Sequence, residues 1–189
     1  ERFKNINKDL LYNLLTLFYK EPGVYLDYDN LAKSLRISKS TLYRHIFYLE
    51  FCYLIRLIKN FRPSTLSTTR KLQRAYPYWW TLAYCYGENQ DKIMETLIGS
   101  TINGKYYWRD IEKEIDFLQV EGKKILPIEV KNKERINERD LNNLKFFMHK
   151  YKSAEAKLIY LGEEVSKNVD GKRMRLMPFW RFLLDEETE

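Results

Sequence analysis

The sequence predicts a two-module fold of mixed class, α+β passing into α/β. A basic, mainly helical module covers residues 1–75, and a mixed module built around a strand hairpin covers residues 76–189. Three observations predict it. Residues 1–75 hold 14 Lys and Arg against 6 Asp and Glu, whereas residues 76–189 hold 19 against 20, so the charge is confined to one part of the chain. Apolar residues in the first part recur at helical steps of three and four. In the second part, Glu114 to Leu118 and Pro127 to Lys131 alternate apolar with polar, the period of a half-buried strand.

Taken in order, Ile6, Leu10, Leu11, Leu14, Leu15 and Phe18 line one face of a first helix that ends near Glu21-Pro22-Gly23. Tyr28 to Leu35 forms a short second helix, and Arg36-Ile37-Ser38 a turn with Ile37 as its buried plug. A third helix runs from Lys39 to about Glu50, with Ser38 as the N-cap for its free amides. Leu42, Ile46 and Leu49 then face the core, while Lys39, Ser40, Tyr43, Arg44 and Phe47 stay outside. Tyr53 to Phe61 and Arg70 to Tyr76 read as two strands joined by a Ser/Thr-rich loop from Pro63 to Thr69.

The stretch from Asn30 through the third helix resembles the helix-turn-helix of DNA-binding modules, and the two strands complete a winged helix-turn-helix. In such modules the third helix enters the major groove. The resemblance implies DNA contacts from Lys39, Ser40, Tyr43 and Arg44, and phosphate contacts from Arg62, Arg70, Lys71 and Arg74, which position without specifying sequence. Protein docking is the competing use of this surface, and Tyr43 and Phe47 suit it equally well.

After this module comes an aromatic connector, Tyr76, Tyr78, Trp79, Trp80, Tyr84 and Tyr86, expected to pack the two modules together because large rings bury much area per residue. Asp91 to Ile98 is helical in pattern, with Ile93, Leu97 and Ile98 inward and Glu95 at the edge of that face. Glu121-Gly122-Lys123-Lys124 is a hairpin loop by its length and its glycine. Val120 then pairs with Ile125 and Asp116 lies opposite Glu129. Glu129 and Lys131 share one face of their strand, with Ile128 and Val130 on the other. Opposed residues have Cβ atoms about 4.5–5.5 Å apart, and like charges there are destabilising. A metal ion is a natural reason to keep two carboxylates in such a place. Asn137 to Lys150 follows as an amphipathic helix, then Lys157 to Leu161 as a strand. Lys172 to Arg175 reads as an exposed turn before the strand Met174 to Met177, and Asp185-Glu186-Glu187 as a solvated acidic tail.

The carboxylate patch resembles the active-site signature of the PD-(D/E)XK nuclease-like superfamily, whose restriction-endonuclease-like domain has an αβββαβ order. Asp116 matches the first acid, Glu129-Val130-Lys131 the acid-x-Lys triplet, and Glu95 the glutamate that members often add from a preceding helix. The resemblance implies Mg²⁺ or Mn²⁺ held by Glu95, Asp116, Glu129 and the carbonyl of Val130. Lys131 would orient or activate a water, or stabilise the phosphorane. The full order of modules is similar to the C-terminal region of an archaeal and bacterial family of AAA-type ATPases of undefined role. The residues that carry this are the helix-turn-helix at 28–50, Lys71 to Pro77, Tyr107-Trp108-Arg109, and the hairpin block. That resemblance makes DNA and an N-terminal ATPase domain outside this chain the expected partners. No G-x-x-x-x-G-K-[ST] loop occurs here, so nucleotide binding by that device is excluded.

Composition excludes other classes. No apolar run approaches the roughly 18–20 residues that cross a membrane, and no signal peptide is visible, so a cytoplasmic location is expected. Glu1 leads straight into a helical pattern, which reads as a piece of a longer protein. Cys52 and Cys85 lie among apolar and aromatic residues without CxxC spacing and read as buried thiols in a reducing compartment. His45 and His149 are too few and too far apart for a zinc motif. Two alternatives to a nuclease stand beside it: a non-catalytic module docking DNA or protein, and a transcription regulator, which would leave the carboxylate patch unexplained.

Overall fold

The computed structural model describes residues 6–63 and 72–186. The first module begins with α1 (Lys8–Lys20), N-capped by Asn7, and strand β1 (Val24–Tyr25). Helices α2 (Tyr28–Ser34) and α3 (Lys39–Phe51) are separated by a turn in which Arg36 takes a left-handed φ of 54°. Ser38 accepts from the Thr41 amide, which fixes the start of α3. Leu10, Leu14 and Phe18 of α1 meet Leu42, Ile46 and Leu49 of α3 in one apolar cluster, with Ile37 half-buried against it. Strands β2 (Ile55–Asn60) and β3 (Arg74–Pro77) pair antiparallel and close this core.

The chain then forms α4 (Trp80–Tyr86), α5 (Gln90–Thr101), β4 (Tyr106–Asp110), β5 (Lys113–Glu121) and β6 (Lys124–Val130). A 3₁₀ turn at Glu138–Leu141 leads into α6 (Asn142–Tyr151), followed by β7 (Glu155–Tyr160), β8 (Val165–Val169), β9 (Lys172–Pro178) and α7 (Phe179–Glu186). From α5 to β7 the elements run α-β-β-β-α-β.

Among the described residues the strands form one mixed sheet ordered β1-β3-β2-β4-β5-β6-β7-β9-β8. The join between the modules is a short parallel pairing of β2 with β4, Lys59 with Tyr106 and Asn60 with Tyr107. The boundary read at residues 75 and 76 therefore falls inside a strand, β3, and the sheet runs through it.

The hairpin of β5 and β6 has the expected register, Val120 opposite Ile125, and the turn tightens to Gly122-Lys123 because Glu121 also pairs with Lys124. Gly122 supplies the φ of 58° that this turn demands. The strands are not half-buried, as their alternation predicted. Leu118 enters a core under α6 with Leu144 and Phe147, while Phe117 enters a second core with Ile98 of α5 and Phe182 of α7. Helices on both faces bury both sets of side chains.

Three further expectations are corrected. Of the aromatic connector only Tyr76 is buried and Tyr78 half-buried, whereas Trp79, Trp80, Tyr84 and Tyr86 are exposed, because α4 is short and buries only Ala83. Cys52 and Cys85 are free and exposed, on the cap of α3 and the outer side of α4. Lys172 to Arg175 belong to β9, and the turn before it is Asp170-Gly171, both at positive φ, the geometry that a two-residue hairpin needs. The loop at residues 64–69, with Arg70 and Lys71, lies outside the described residues.

Candidate functional site

The ladder between β5 and β6 ends at Phe117 opposite Ile128, and Asp116 and Glu129 are the next residues beyond it. There the strands part: β6 goes on pairing with β7 through Glu129 and Val130, while Ile115 of β5 faces Trp108 of β4. Parting strands leave backbone groups free for side chains. Asp116 Oδ2 takes one of them, accepting from the Val130 amide at 2.9 Å. Lys131, one residue past the strand, turns its ammonium back onto Glu129 Oε1 at 2.7 Å. Asp116 and Lys131 are half-buried and Glu129 only 3% exposed. Glu129 Oε2 is buried with no hydrogen-bond partner.

Glu95 reaches this cluster from α5, where Ile93, Met94 and Ile98 anchor the helix to the sheet. Its oxygens are already committed. Oε1 meets Arg74 Nη2 at 2.8 Å and accepts from the Tyr76 hydroxyl, and Oε2 meets Lys92 Nζ at 2.5 Å. Arg74 is 3% exposed and also binds Glu114 Oε1 at 2.8 Å through Nη1 and the Gly23 carbonyl at 2.9 Å through Nε. Tyr25 donates to the other oxygen of Glu114. The expected phosphate contact at Arg74 is thus overturned: its guanidinium is an internal cation that ties the first module to the carboxylates. As it stands, Glu95 is held as a salt-bridged anion and not left open for a metal.

Electrostatics follow from this layout. Burial, then Glu95, pushes the Asp116 carboxyl up to about 6, against the pull of Lys131 and Arg74. Burial and Asp116 hold Glu129 well above the usual carboxylate range. Burial would raise Glu95 too, but Arg74 and Lys92 outweigh it and hold it low. Burial disfavours the Lys131 cation, yet Glu129 and Asp116 raise its pKa and keep it charged.

Both raised carboxyls prefer their neutral forms in the fold, so their contribution to stability is full below their unfolded pKa values and fades as pH rises. For Asp116 the window runs from about 4 to about 6. Glu129→Gln removes one member of the repelling pair. Its melting temperature in EDTA, relative to the parent, is expected to climb by ~2–8 °C between pH 4 and 7, corresponding to about 1–2 kcal/mol. A difference that stays flat with pH would mean the two carboxylates do not repel.

Among the described residues no group of three or more His, Cys, Asp and Glu side chains is arranged to hold a metal ion. The pair Asp116 and Glu129 still fits one in chemistry, since it offers hard oxygen donors and an unpartnered oxygen.

Of the residues assigned to DNA, Lys39, Ser40, Tyr43 and Arg44 lie on α3 with local engagements. Lys39 pairs with Asp29 at 2.8 Å, Ser40 Oγ lies 2.9 Å from Ser38 Oγ, and Tyr43 stacks on Tyr28 with centroids 4.0 Å apart. Arg44 is half-buried with its Nε unpartnered. Arg62 donates to the Arg109 carbonyl at 2.6 Å. Sequence reasoning missed Tyr25, Arg74, Tyr76, Lys92 and Glu114 at the cluster. Glu114 alone carried a signal, since it lies two residues before Asp116 on one strand.

Residues 92–182 match the family described as a domain of unknown function, DUF4143. No curated protein and no solved structure matches the chain. The matched segment runs from α5 to α7 and contains Lys92, Glu95, Glu114, Asp116, Glu129 and Lys131, whereas Tyr25, Arg74 and Tyr76 precede it. No helix among the described residues is long and apolar enough to cross a membrane.

Proposed function

We propose that this chain is the C-terminal part of a cytoplasmic AAA-type ATPase and carries a metal-dependent phosphodiester-cleaving site of PD-(D/E)XK nuclease type, beside a winged helix-turn-helix that contacts DNA. The matched family is commonly found at the C-terminus of AAA-type ATPases, which supports the placement. The observation that carries the reading is the juxtaposition of Asp116, Glu129 and Lys131 where β5 and β6 part, with Glu129 Oε2 left without a partner. Asp116, Glu129 and the Val130 carbonyl are the groups that would hold Mg²⁺ or Mn²⁺. When bound, such an ion lowers the pKa of a water and offsets charge on a phosphate. The Val130 amide fixes Asp116 through one carboxylate oxygen. Lys131 is half-exposed and charged, and it can orient an attacking water or stabilise negative charge on the phosphorus oxygens.

Supercoiled plasmid and single-stranded DNA, incubated with Mg²⁺, Mn²⁺ or EDTA, test this reading. Cleavage with either metal and none in EDTA is the expected result. Absence of cleavage under every condition, with DNA still bound, would sink the enzyme and leave a docking module.

That second reading has its own support. Arg74 and Lys92 satisfy Glu95 internally, as in a purely structural ion network. Tyr43, Phe47 and Phe51 also make an exposed aromatic stripe at four-residue spacing along α3, a surface suited to a protein partner.

A further inference from the structure

At the far end of β5, β6 and β7 from the carboxylates lies a cavity of about 690 Å³. The hairpin turn of β5 and β6, the exit from α6 and the start of β7 form its walls. Its lining carries five cationic side chains, Lys123, Lys124, Lys152, Lys157 and Arg175. Among the lining residues the acids are Glu121 and Glu155; Glu155 lies 4.0 Å from Arg173, and Arg175 is paired outside the lining with Glu164 at 3.1 Å and Asp185 at 3.8 Å. A cleft with an excess of one sign concentrates ligands of the other sign. The wall is also partly apolar, from Ile125, Leu126 and Tyr151, all half-buried.

Two details separate this place from a solvated lysine surface. Ser153, in the cavity wall, is 5% exposed and its hydroxyl has no hydrogen-bond partner. Arg175 Nε is likewise buried and unpartnered, although its Nη2 reaches Glu164 at 3.1 Å. Buried polar groups normally have partners, so two unmatched donors at one wall need an explanation. Lys152 ends α6 in the left-handed region, φ 54°, which turns the chain sharply into Ser153 and brings both residues to the same wall.

From this cavity we infer a binding site for a nucleoside phosphate, with the phosphate among the lysines and the apolar body of the ligand against Leu126. The volume lies within the roughly 300–1,000 Å³ range of small-molecule sites and exceeds what a lone oxyanion needs. Lys and Arg are the side chains that recognise phosphate oxygens. The nucleoside phosphate comes either as a free nucleotide or as one unit of a nucleic-acid strand, and both present the same chemistry. The site is independent of any cleavage at Asp116.

The test titrates the full chain, in EDTA, with adenosine 5′-monophosphate by calorimetry and with a fluorescein-labelled dT12 strand by anisotropy. Parent and Lys124→Glu/Lys152→Glu variant are compared. Both substituted side chains are exposed, so the variant is expected to fold, and circular dichroism checks it. A loss of at least tenfold in affinity for the mononucleotide assigns the site to a free nucleotide. A loss of that size for dT12 alone assigns it to a strand. Affinities within twofold for both probes, or no binding of either probe by the parent, would overturn the inference. Because EDTA removes any metal, failure here is distinct from failure of the nuclease reading.

Discussion

Asp116→Ala is expected to abolish metal-dependent cleavage of DNA while leaving the affinity for DNA within about threefold. The side chain lost is one of the two carboxylates that fit a divalent cation, and it lies at a distance in sequence and structure from the outer side of α3. Its removal also relieves repulsion, since Asp116 holds the pKa of Glu129 up and is itself raised by Glu95. The variant is therefore expected to melt no lower than the parent in EDTA. Lys131→Ala is expected to reduce cleavage by about 10²- to 10³-fold, the scale of losing one charge-stabilising group. Unlike Asp116→Ala it costs stability, because Glu129 would lose the cation paired with it, and breaking a buried pair in this way is worth about 3–5 kcal/mol at full burial. Lys131 is 32% exposed, so the cost is expected at or below the low end of that range. Plasmid nicking, anisotropy and thermal melts on the same samples separate the effects. Cleavage by Asp116→Ala at the parental rate would remove this cluster from the chemistry.

The hairpin was legible for a local reason. Loop length, one glycine and a strict period of two set which residues face each other, and Val120 opposite Ile125 places Asp116 next to Glu129 without any tertiary information. Helices α2 and α3 were legible likewise, because apolar steps and a serine cap are local signals. Burial was not. Alternation in Glu114 to Leu118 reads as a half-buried strand, yet Phe117 and Leu118, adjacent in sequence, enter different cores because helices cover both faces. The connector was misread for the converse reason: Trp79, Trp80, Tyr84 and Tyr86 invite burial, but single ring contacts such as Tyr19 on Tyr86 leave all four exposed. Arg74 is the sharpest case. Basic composition around it predicts a phosphate contact, and only the parallel join of β2 to β4 places its strand beside α5 and β5. That join spans more than forty residues of sequence and has no local signature.

Arg74→Met is expected to be strongly destabilising. It keeps the apolar stem and removes a buried cation that binds Glu95, Glu114 and the Gly23 carbonyl together. Glu95 would be left nearly buried with Lys92 and the neutral Tyr76 hydroxyl beside it, and under-compensated burial of that kind costs about 3–5 kcal/mol, or ~6–20 °C in melting temperature for a chain of this size. Adding Glu95→Gln to Arg74→Met is expected to return about 1–3 kcal/mol, because the neutral amide no longer requires the cation. Partial rescue would show that the loss is electrostatic and not one of packing. A melting temperature for Arg74→Met within 2 °C of the parent would show that Arg74 carries little of the load. The location of the loss matters as much as its size. Arg74 belongs to β3 of the first module and its partners to α5 and β5 of the second, and Tyr25 and Tyr76 reinforce the same two glutamates. Hydrogen exchange should therefore quicken first at Lys59 and Phe61, whose amides donate to Lys105 and Tyr107 across the join, before it quickens in the hairpin of β5 and β6. Such an order would make the ion network, and not the few bonds between β2 and β4, the element that keeps the helical module fixed against the carboxylate cluster.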